Sequence, residues 1–334
     1  MEKRDSQSGA VLVLVPVFND WDAVAIMLAD LDRVLTDAND GCTVDVVLLD
    51  DGSQMLLDEA LLARSWSAIK SIRVVHLARN LGHQRAICVG LTWAYQQDSH
   101  DLLVIMDGDG EDAPRDVPVL LARARSHLAL GTPRVVFAER AKRSEALWFR
   151  ISYQVFRKLY QLLIGSHRRV GNFSVVPRES LQRIVFAHEV WNHYAASVFR
   201  LRIASDSVPC ERGKRTFGQS KMNFVSLALH GISAIAVNSD VAGMRLILGS
   251  LALGGVALVA MMVALVMAVP MEMQMPRWIF MALSLVVLIA GQALAAAILF
   301  VLITLQNRSH AGFVPVRDAK MYVGKVRQIV GQAG

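Results

Sequence analysis

The residues best suited to chemistry sit in LLVIMDGDGED, residues 102–112. An apolar run leads straight into Asp107, Asp109, Glu111 and Asp112, spaced by Gly108 and Gly110. Carboxylates crowded onto one turn repel one another, so the turn calls for a positive partner. A calcium loop starting at Asp107 would need Gly at its sixth position and Glu at its twelfth, and those places hold Asp112 and Pro118. No G-x-x-x-x-G-K-[ST] phosphate loop occurs. A solvated acidic turn is the plain alternative. An apolar strand ending in Asp-x-Asp at a sheet's carboxyl edge suits a divalent ion, Mg2+ or Mn2+, that carries a diphosphate. Carboxylates are hard ligands, one or two suffice, and phosphate and water complete the shell. Such an ion neutralises charge on a departing diphosphate. Gly108 and Gly110 would let backbone approach that ligand closely.

Basic residues form the second set. Net charge is +6. Residues 137–169 carry Arg140, Lys142, Arg143, Arg150, Arg157, Lys158, Arg168 and Arg169 against Glu139 and Glu145. A further cluster, ERGKRTFGQSK, holds Arg212, Lys214, Arg215 and Lys221. Basic clusters bind nucleic acid, anionic lipid or phosphate ligands, or merely solvate a surface. His188 and His193 are spaced five apart, poorly for two ligands on one helix face, and read as packing or surface residues. Cys42, Cys88 and Cys210 lie far apart, so neither a metal cage nor a disulfide framework follows, and a reducing compartment fits.

The elements that must position these residues alternate. Strand-like runs cover 10–18, 44–49, 72–77 and 101–106, with helical spacing over 22–35 and 83–97. Strands alternating with helices predict an α/β fold, a mostly parallel sheet covered on both faces. Ligands bind such sheets beyond the carboxyl ends of the strands. Three strands end there in polar turns: VFND, LDDGS and MDGDGED.

Hydrophobic residues make up 54% of the chain and the mean hydropathy is +0.38. The excess sits late. Residues 246–269 and 278–305 carry no charge, and a spanning helix needs about 20 residues. The amphipathic pattern over 148–163, basic on one face, fits either an interfacial helix or an ordinary surface helix. The expected domains are therefore 1–222, an interfacial juxtamembrane helix at 223–245, two transmembrane helices within 246–305 joined by a short external loop at 270–277, and a tail at 306–334. Arg308, Arg317, Lys320, Lys325 and Arg327 after the second run, and Arg245 before the first, place the catalytic domain and both termini in the cytoplasm of a multi-pass inner-membrane protein. The first apolar run is short and broken by Pro16, Asn19 and Asp20, like a strand rather than a signal peptide.

VPVFND, LLDDGS, RNLGHQRAICVGL, MDGDGEDAP and RTFGQSK occur in an order that resembles family 2 glycosyltransferases of the polyprenyl-phosphate type, the group of dolichol-phosphate mannose synthase and bacterial undecaprenyl-phosphate glycosyltransferases. The likeness covers residues 10–245, and the paired apolar runs match the bacterial members. It implies a GT-A (Rossmann-like) fold and inverting transfer of one sugar from a nucleotide-sugar, UDP-linked by default, to a polyprenyl phosphate. By this resemblance Pro16, Phe18 and Asp20 line the nucleotide base and Asp51 contacts the nucleoside. Asp107 and Asp109 handle ribose, metal and diphosphate, and Arg140 is a basic donor-site position. Arg212, Arg215, Ser220 and Lys221 bind the acceptor phosphate, with Arg215 counted beside Asp107 and Asp109 as catalytic. The implied partners are the donor, the lipid acceptor and the bilayer, with no nucleic acid; a homo-oligomer stays open.

The match departs at RRVGNFSVVPR, where Arg169 and Asn172 stand in place of the family's acids. Asn cannot act as a base. A phosphate monoester, with a second pKa of about 6, is largely dianionic at neutral pH and can attack unaided. A catalytically silent relative that binds nucleotide-sugar or lipid as an assembly partner is the rival reading. A processive polysaccharide synthase would carry Q-x-x-R-W and more spans, and neither is present.

Overall fold

A computed structural model describes residues 10–38, 41–97, 100–140, 158, 160–165, 170–210, 232–268, 277–309 and 312–331. They form two compact units, one of residues 1–145, 168–237 and 313–334, the other of 146–167 and 238–312.

The first unit is an α/β fold built on one eight-stranded sheet. Its strands are β1 (Val11–Val17), β2 (Val44–Asp50), β3 (Ile69–Leu77), β4 (Leu102–Ile105), β5 (Val135–Arg140), β6 (Val170–Pro177), β7 (Ser205–Cys210) and β8 (Val323–Val330). They lie in the order β7-β5-β6-β4-β1-β2-β3-β8. β1 pairs in parallel with β2 and β4, β2 with β3, and β5 with β7. β6 runs antiparallel to both β4 and β5, and β8 antiparallel to β3. Every residue of β1 is buried, because helices cover both faces and an apolar run with no polar alternation is what such a strand requires.

Val11, Val13, Val15 and Val17 face one core with α1 (Trp21–Asp37) and α3 (Val117–Ala129). Leu12 and Leu14 face the other, with α2 (His83–Gln97), α4 (Arg178–Val185) and α5 (Tyr194–Arg200). Trp21, Val24, Leu28, Leu31 and Leu35 recur at helical spacing on α1 and are all buried. Gly90 of α2 sits where a Cβ would lie 2.2 Å from Leu49 Cδ1 and 2.8 Å from the Leu14 methyls, so α2 seats closely on the sheet only with glycine there.

The stretch set apart as a tail from the sequence is partly sheet. β8 forms its outer edge beside β3. Phe313 and Tyr322 stack with Trp191, at 4.0 and 5.3 Å between ring centroids, and tie the chain down just before that strand. The residues of β8 are largely exposed, as suits an edge strand, and Lys325 and Arg327 guard it against pairing with other chains.

The second unit holds α6 (Ser239–Ala268) and α7 (Arg277–Ser309), both long and apolar enough to cross a membrane. The first begins at Ser239 rather than at 246, so residues 239–245 belong to the long helix and not to a separate juxtamembrane one. Small residues form the seam: Ala257, Ala264, Ala290 and Ala297 are buried, and a Cβ on Gly243 would meet Val301 Cγ2 at 2.4 Å. Such residues let two apolar helices approach without a hydrophobic drive between them. Residues 160–164 are helical, and Arg245 of α6 donates to the Leu162 carbonyl at 2.9 Å, satisfying a helix-end acceptor. Most of the amphipathic pattern over 148–163 lies outside the described residues.

Candidate active site

The carboxyl ends of the parallel strands form one rim, and backbone and side-chain hydrogen bonds tie their loops together there. β1 leads into Phe18, Asn19 and Asp20. Asn19 adopts a left-handed φ of 58°, which Asn tolerates better than most residues. Its Oδ1 accepts from the N–H groups of Gln54 and Met55 at 2.8 and 3.0 Å, and its own N–H donates to Ser53 Oγ at 2.9 Å. Trp21 Nε1–H donates to the Met55 carbonyl at 2.9 Å. The loop after β1 thus holds the loop after β2.

The loop after β2 holds the next in turn. Asp50 Oδ1 accepts from the Ser53 N–H at 2.8 Å, and its Oδ2 lies 2.7 Å from His76 Nδ1 on β3. Asp51 is buried and accepts from the Leu81 and Gly82 N–H groups at 2.6 and 2.9 Å. Burial pushes its carboxyl above the ordinary value, against the pull of those two donors. Gly52 between them has φ +71°, and a Cβ there would come 2.7 Å from Asn80 N. No other residue fits this close approach without strain. Asp51, assigned to the nucleoside by resemblance, therefore clasps the loop that starts α2.

β4 ends at the acidic turn. Its four carboxylates divide into kinds. Asp112 is buried, and its Oδ2 accepts from the Asp107 N–H at 3.0 Å, closing the turn from within. Asp109 Oδ1 accepts from the Glu111 N–H at 2.9 Å. Asp107, Asp109 and Glu111 are half-buried, with 24% of the Asp107 side chain exposed. Gly108 does not serve ligand approach as expected. It is buried, and a Cβ there would meet Val24 Cγ2 at 2.7 Å and Val15 Cγ1 at 3.1 Å, so it lets the turn pack on β1 and α1. Gly110, at φ +83°, supplies the left-handed bend.

β6 brings a further loop to the acidic turn. Because it runs antiparallel to β4, with Ser174 opposite Ile105, its start lies beside the turn after β4. Asn172 is buried there. Its Nδ2 lies 2.9 Å from His83 Nε2 and its Oδ1 accepts from Gln84 Nε2 at 3.2 Å. His83 Nε2 in turn lies 3.3 Å from Asp107 Oδ1. Gln84 does not stand out in the sequence as a chemical residue, and only antiparallel pairing of β6 with β4 brings Asn172 to it and to His83. The rim continues into β5 and β7, which point the same way as β4. β5 ends at Arg140, opposite Cys210 at the end of β7. Arg212, Arg215, Ser220 and Lys221 lie, with Arg169, outside the described residues.

Pro16 is buried within β1, opposite Leu49, while Phe18 keeps 36% of its surface exposed beyond the strand end. Of the residues singled out from sequence, the structure brings Phe18, Asp20, Asp51, Asp107, Asp109 and the backbone of Arg140 to one rim. Asn19, Ser53 and His76 join them as the bonds that hold it. An asparagine placed directly after an apolar, strand-like run is the signal in the sequence that points to Asn19.

Among the described residues no group of three or more His, Cys, Asp and Glu side chains is set to hold a metal. Mg2+ is usually held by one or two carboxylates, with phosphates and water completing its shell. Asp107 and Asp109, hard donors on a half-exposed turn, meet that requirement.

The model of the family described as Glycosyl transferase family 2 matches residues 12–185. The undecaprenyl-phosphate 4-deoxy-4-formamido-L-arabinose transferases of Salmonella paratyphi B and Salmonella typhimurium are each 25% identical over 278 residues, covering 80% of this chain and 78% of theirs. The crystal structure of mannosyl-3-phosphoglycerate synthase from Rubrobacter xylanophilus is 13% identical, with a TM-score of 0.39, over 69% of this chain and 72% of that one.

Proposed function

The chain belongs to glycosyl transferase family 2, and from that premise we propose that this glycosyltransferase moves a single sugar from a nucleotide-sugar, UDP-linked, onto a polyprenyl phosphate. The transfer is metal-assisted, inverts the anomeric carbon and takes place at the cytoplasmic face of the membrane. The observation that carries this reading is the rim itself, where half-exposed Asp107 and Asp109 stand beside the tied loops after β1 and β2. The names of the Salmonella relatives supply the acceptor class, and the apolar helices α6 and α7 suit an enzyme whose acceptor lies in a bilayer.

On this reading Phe18 offers an exposed ring to a flat base. The Asp51 clasp and the Asn19 knot hold the nucleotide loops rigid, so little order remains to be imposed when the donor binds. Asp107 and Asp109 would hold Mg2+ or Mn2+, which when bound supplies charge stabilisation to the leaving diphosphate. Arg140, at the end of β5, is the basic residue assigned to the donor. Arg212, Arg215, Ser220 and Lys221 hold the acceptor phosphate through planar forks and point charges. An oxygen of that phosphate forms the new bond to the anomeric carbon as the carbon–oxygen bond to the diphosphate breaks, and the electron pair leaves with the diphosphate. No protein base is required, because the acceptor's second proton is already lost above about pH 6. Asn172, which cannot take a proton, is compatible with that chemistry.

The test incubates membranes carrying the protein with a panel of labelled nucleotide-sugars and undecaprenyl phosphate. The expected result is one labelled lipid whose rate of formation rises through about pH 6 and falls at least about 100-fold in Asp109→Asn. A lipid formed undiminished by that variant would overturn the metal assignment, and a pH profile unresponsive to the acceptor would overturn the unaided attack.

A further inference from the structure

The loop between β3 and α2 is held from two sides. From within, buried Asp51 accepts from the Leu81 and Gly82 N–H groups. From without, the loop meets the segment that leads into β8. The Tyr322 carbonyl, at the end of that segment, accepts from the Ala78 N–H at 2.8 Å. This bond carries the β3–β8 ladder one residue past the pairing of Leu77 with Val323 and into the loop itself. Gly324 eases the close approach, since a Cβ there would lie 3.1 Å from the His76 carbonyl oxygen.

Two arginines flank the amides that Asp51 clasps, and both lie over one aromatic cluster. Arg79 Cζ is 5.8 Å from the Tyr322 ring centroid, and Arg85 Cζ is 5.3 Å from that of Trp191. The Trp191 and Tyr322 centroids are themselves 5.3 Å apart, and Phe313 lies 4.0 Å from Trp191. Neighbouring rings, and cations over ring faces, attract beyond the area they bury. The cluster therefore holds the loop near each end. Arg327 of β8 also pairs with Glu59 in the loop after β2, but both side chains are partly exposed, and such pairs contribute little.

We propose that Tyr322 and Trp191 are positioning residues for the donor site, acting through residues 78–85 to keep Leu81 and Gly82 against Asp51. The segment before β8 is then part of the nucleotide-binding architecture and does more than cover the sheet edge. A loop fixed before its ligand arrives has less freedom to lose on binding. Loss of the Tyr322 ring therefore weakens nucleotide binding and leaves turnover of the bound complex alone. The effect on a nucleotide rests on the role proposed for Asp51, whereas the ordering of the loop does not.

Tyr322→Leu removes the ring and keeps the carbonyl that accepts from Ala78, while Tyr322→Phe keeps both. Hydrogen exchange of the full-length protein without nucleotide, read by mass spectrometry on peptides spanning 78–85, tests the ordering directly. Exchange there should be at least about threefold faster in Tyr322→Leu and about twofold faster in Arg79→Gln, a change at an exposed position. Tyr322→Phe should match the wild type, and so should Asp45→Ala, altered on the opposite rim. Unchanged exchange in either Tyr322→Leu or Arg79→Gln overturns the proposal. Equal acceleration in Asp45→Ala also overturns it, because general loss of stability would then account for the effect. Calorimetry should show the Kd for UDP raised at least about threefold in Tyr322→Leu but not in Tyr322→Phe, with kcat at saturating donor within about twofold of the wild type. Faster exchange with an unchanged Kd overturns the link to the donor site. A wild type that binds no UDP refutes the donor reading of Asp51 and that link with it, and the exchange result still decides whether the ring orders the loop.

Discussion

Two histidine–aspartate pairs sit on opposite rims of the same sheet. On the amino rim, His100 Nε2 lies 2.8 Å from Asp45 Oδ2, while Ser71 Oγ donates to the other oxygen of the same carboxylate. His100 is buried, and the pair closes the bottom of β2 and β3. On the carboxyl rim, His83 Nε2 stands 3.3 Å from Asp107 Oδ1, with 42% of the His83 side chain exposed, and that nitrogen lies 2.9 Å from the Asn172 amide. The residue types are the same and the use is different. Where protein donors satisfy a carboxylate, it builds the fold. On the carboxyl rim the role proposed for the Asp107 carboxylate is to meet a ligand's cation. The same division runs through the acidic turn, in which buried Asp112 holds the backbone and half-buried Asp107 and Asp109 face the rim.

Paired substitutions at the two rims test this contrast. The largest effect is expected from Asp107→Asn: sugar transfer falls on the order of 100-fold, while stability to denaturant stays within about 0.5 kcal/mol. Asp45→Ala should give the reverse, a loss of about 1–3 kcal/mol from the unsatisfied Ser71 and His100 with kcat unchanged wherever the variant is folded. Measuring both quantities on both variants checks this, and an Asp45→Ala protein that is folded but inactive would erase the distinction between the rims. The smallest effect lies in acid. The hydrogen bond from His100, outweighing burial, holds the Asp45 carboxyl below its ordinary value. A carboxylate depressed in the folded state stabilises above its unfolded pKa, about 3.9, and that stability is lost as pH falls through the lower folded value. Denaturant midpoints should therefore drop less steeply in Asp45→Asn than in the wild type as the pH is lowered from 5 toward 3, on the order of 1 kcal/mol in total.

Much of this architecture is legible in the sequence. Apolar runs ending in VFND, LDDGS and MDGDGED announce buried parallel strands and the rim they share, and the strand expected over 10–18 is Val11–Val17. β8 is not legible, because VGKVRQIV lies exposed on a sheet edge, lacks a clean alternation and follows an apolar helix. Its pairing with β3 depends on a partner more than two hundred residues earlier. Gly108 was misread for a similar reason: its neighbours Val24 and Val15 come from other elements. The four carboxylates look equivalent as letters, and only burial separates the one that shapes the turn from those that face the rim. The chain from Tyr194 through Gln84 and Asn172 to His83 joins three elements and leaves no local pattern at all.

In the proposed function, the half-buried carboxylates of the turn after β4 grip a cation-bridged diphosphate. Calorimetric titration of UDP into the full-length protein, with Mg2+ and then with chelator, tests it most directly. The expected result is binding that requires the cation and is weakened at least about tenfold in Asp109→Asn, a change of about 1.4 kcal/mol. UDP bound equally tightly in chelator, or by Asp109→Asn as by the wild type, would contradict it.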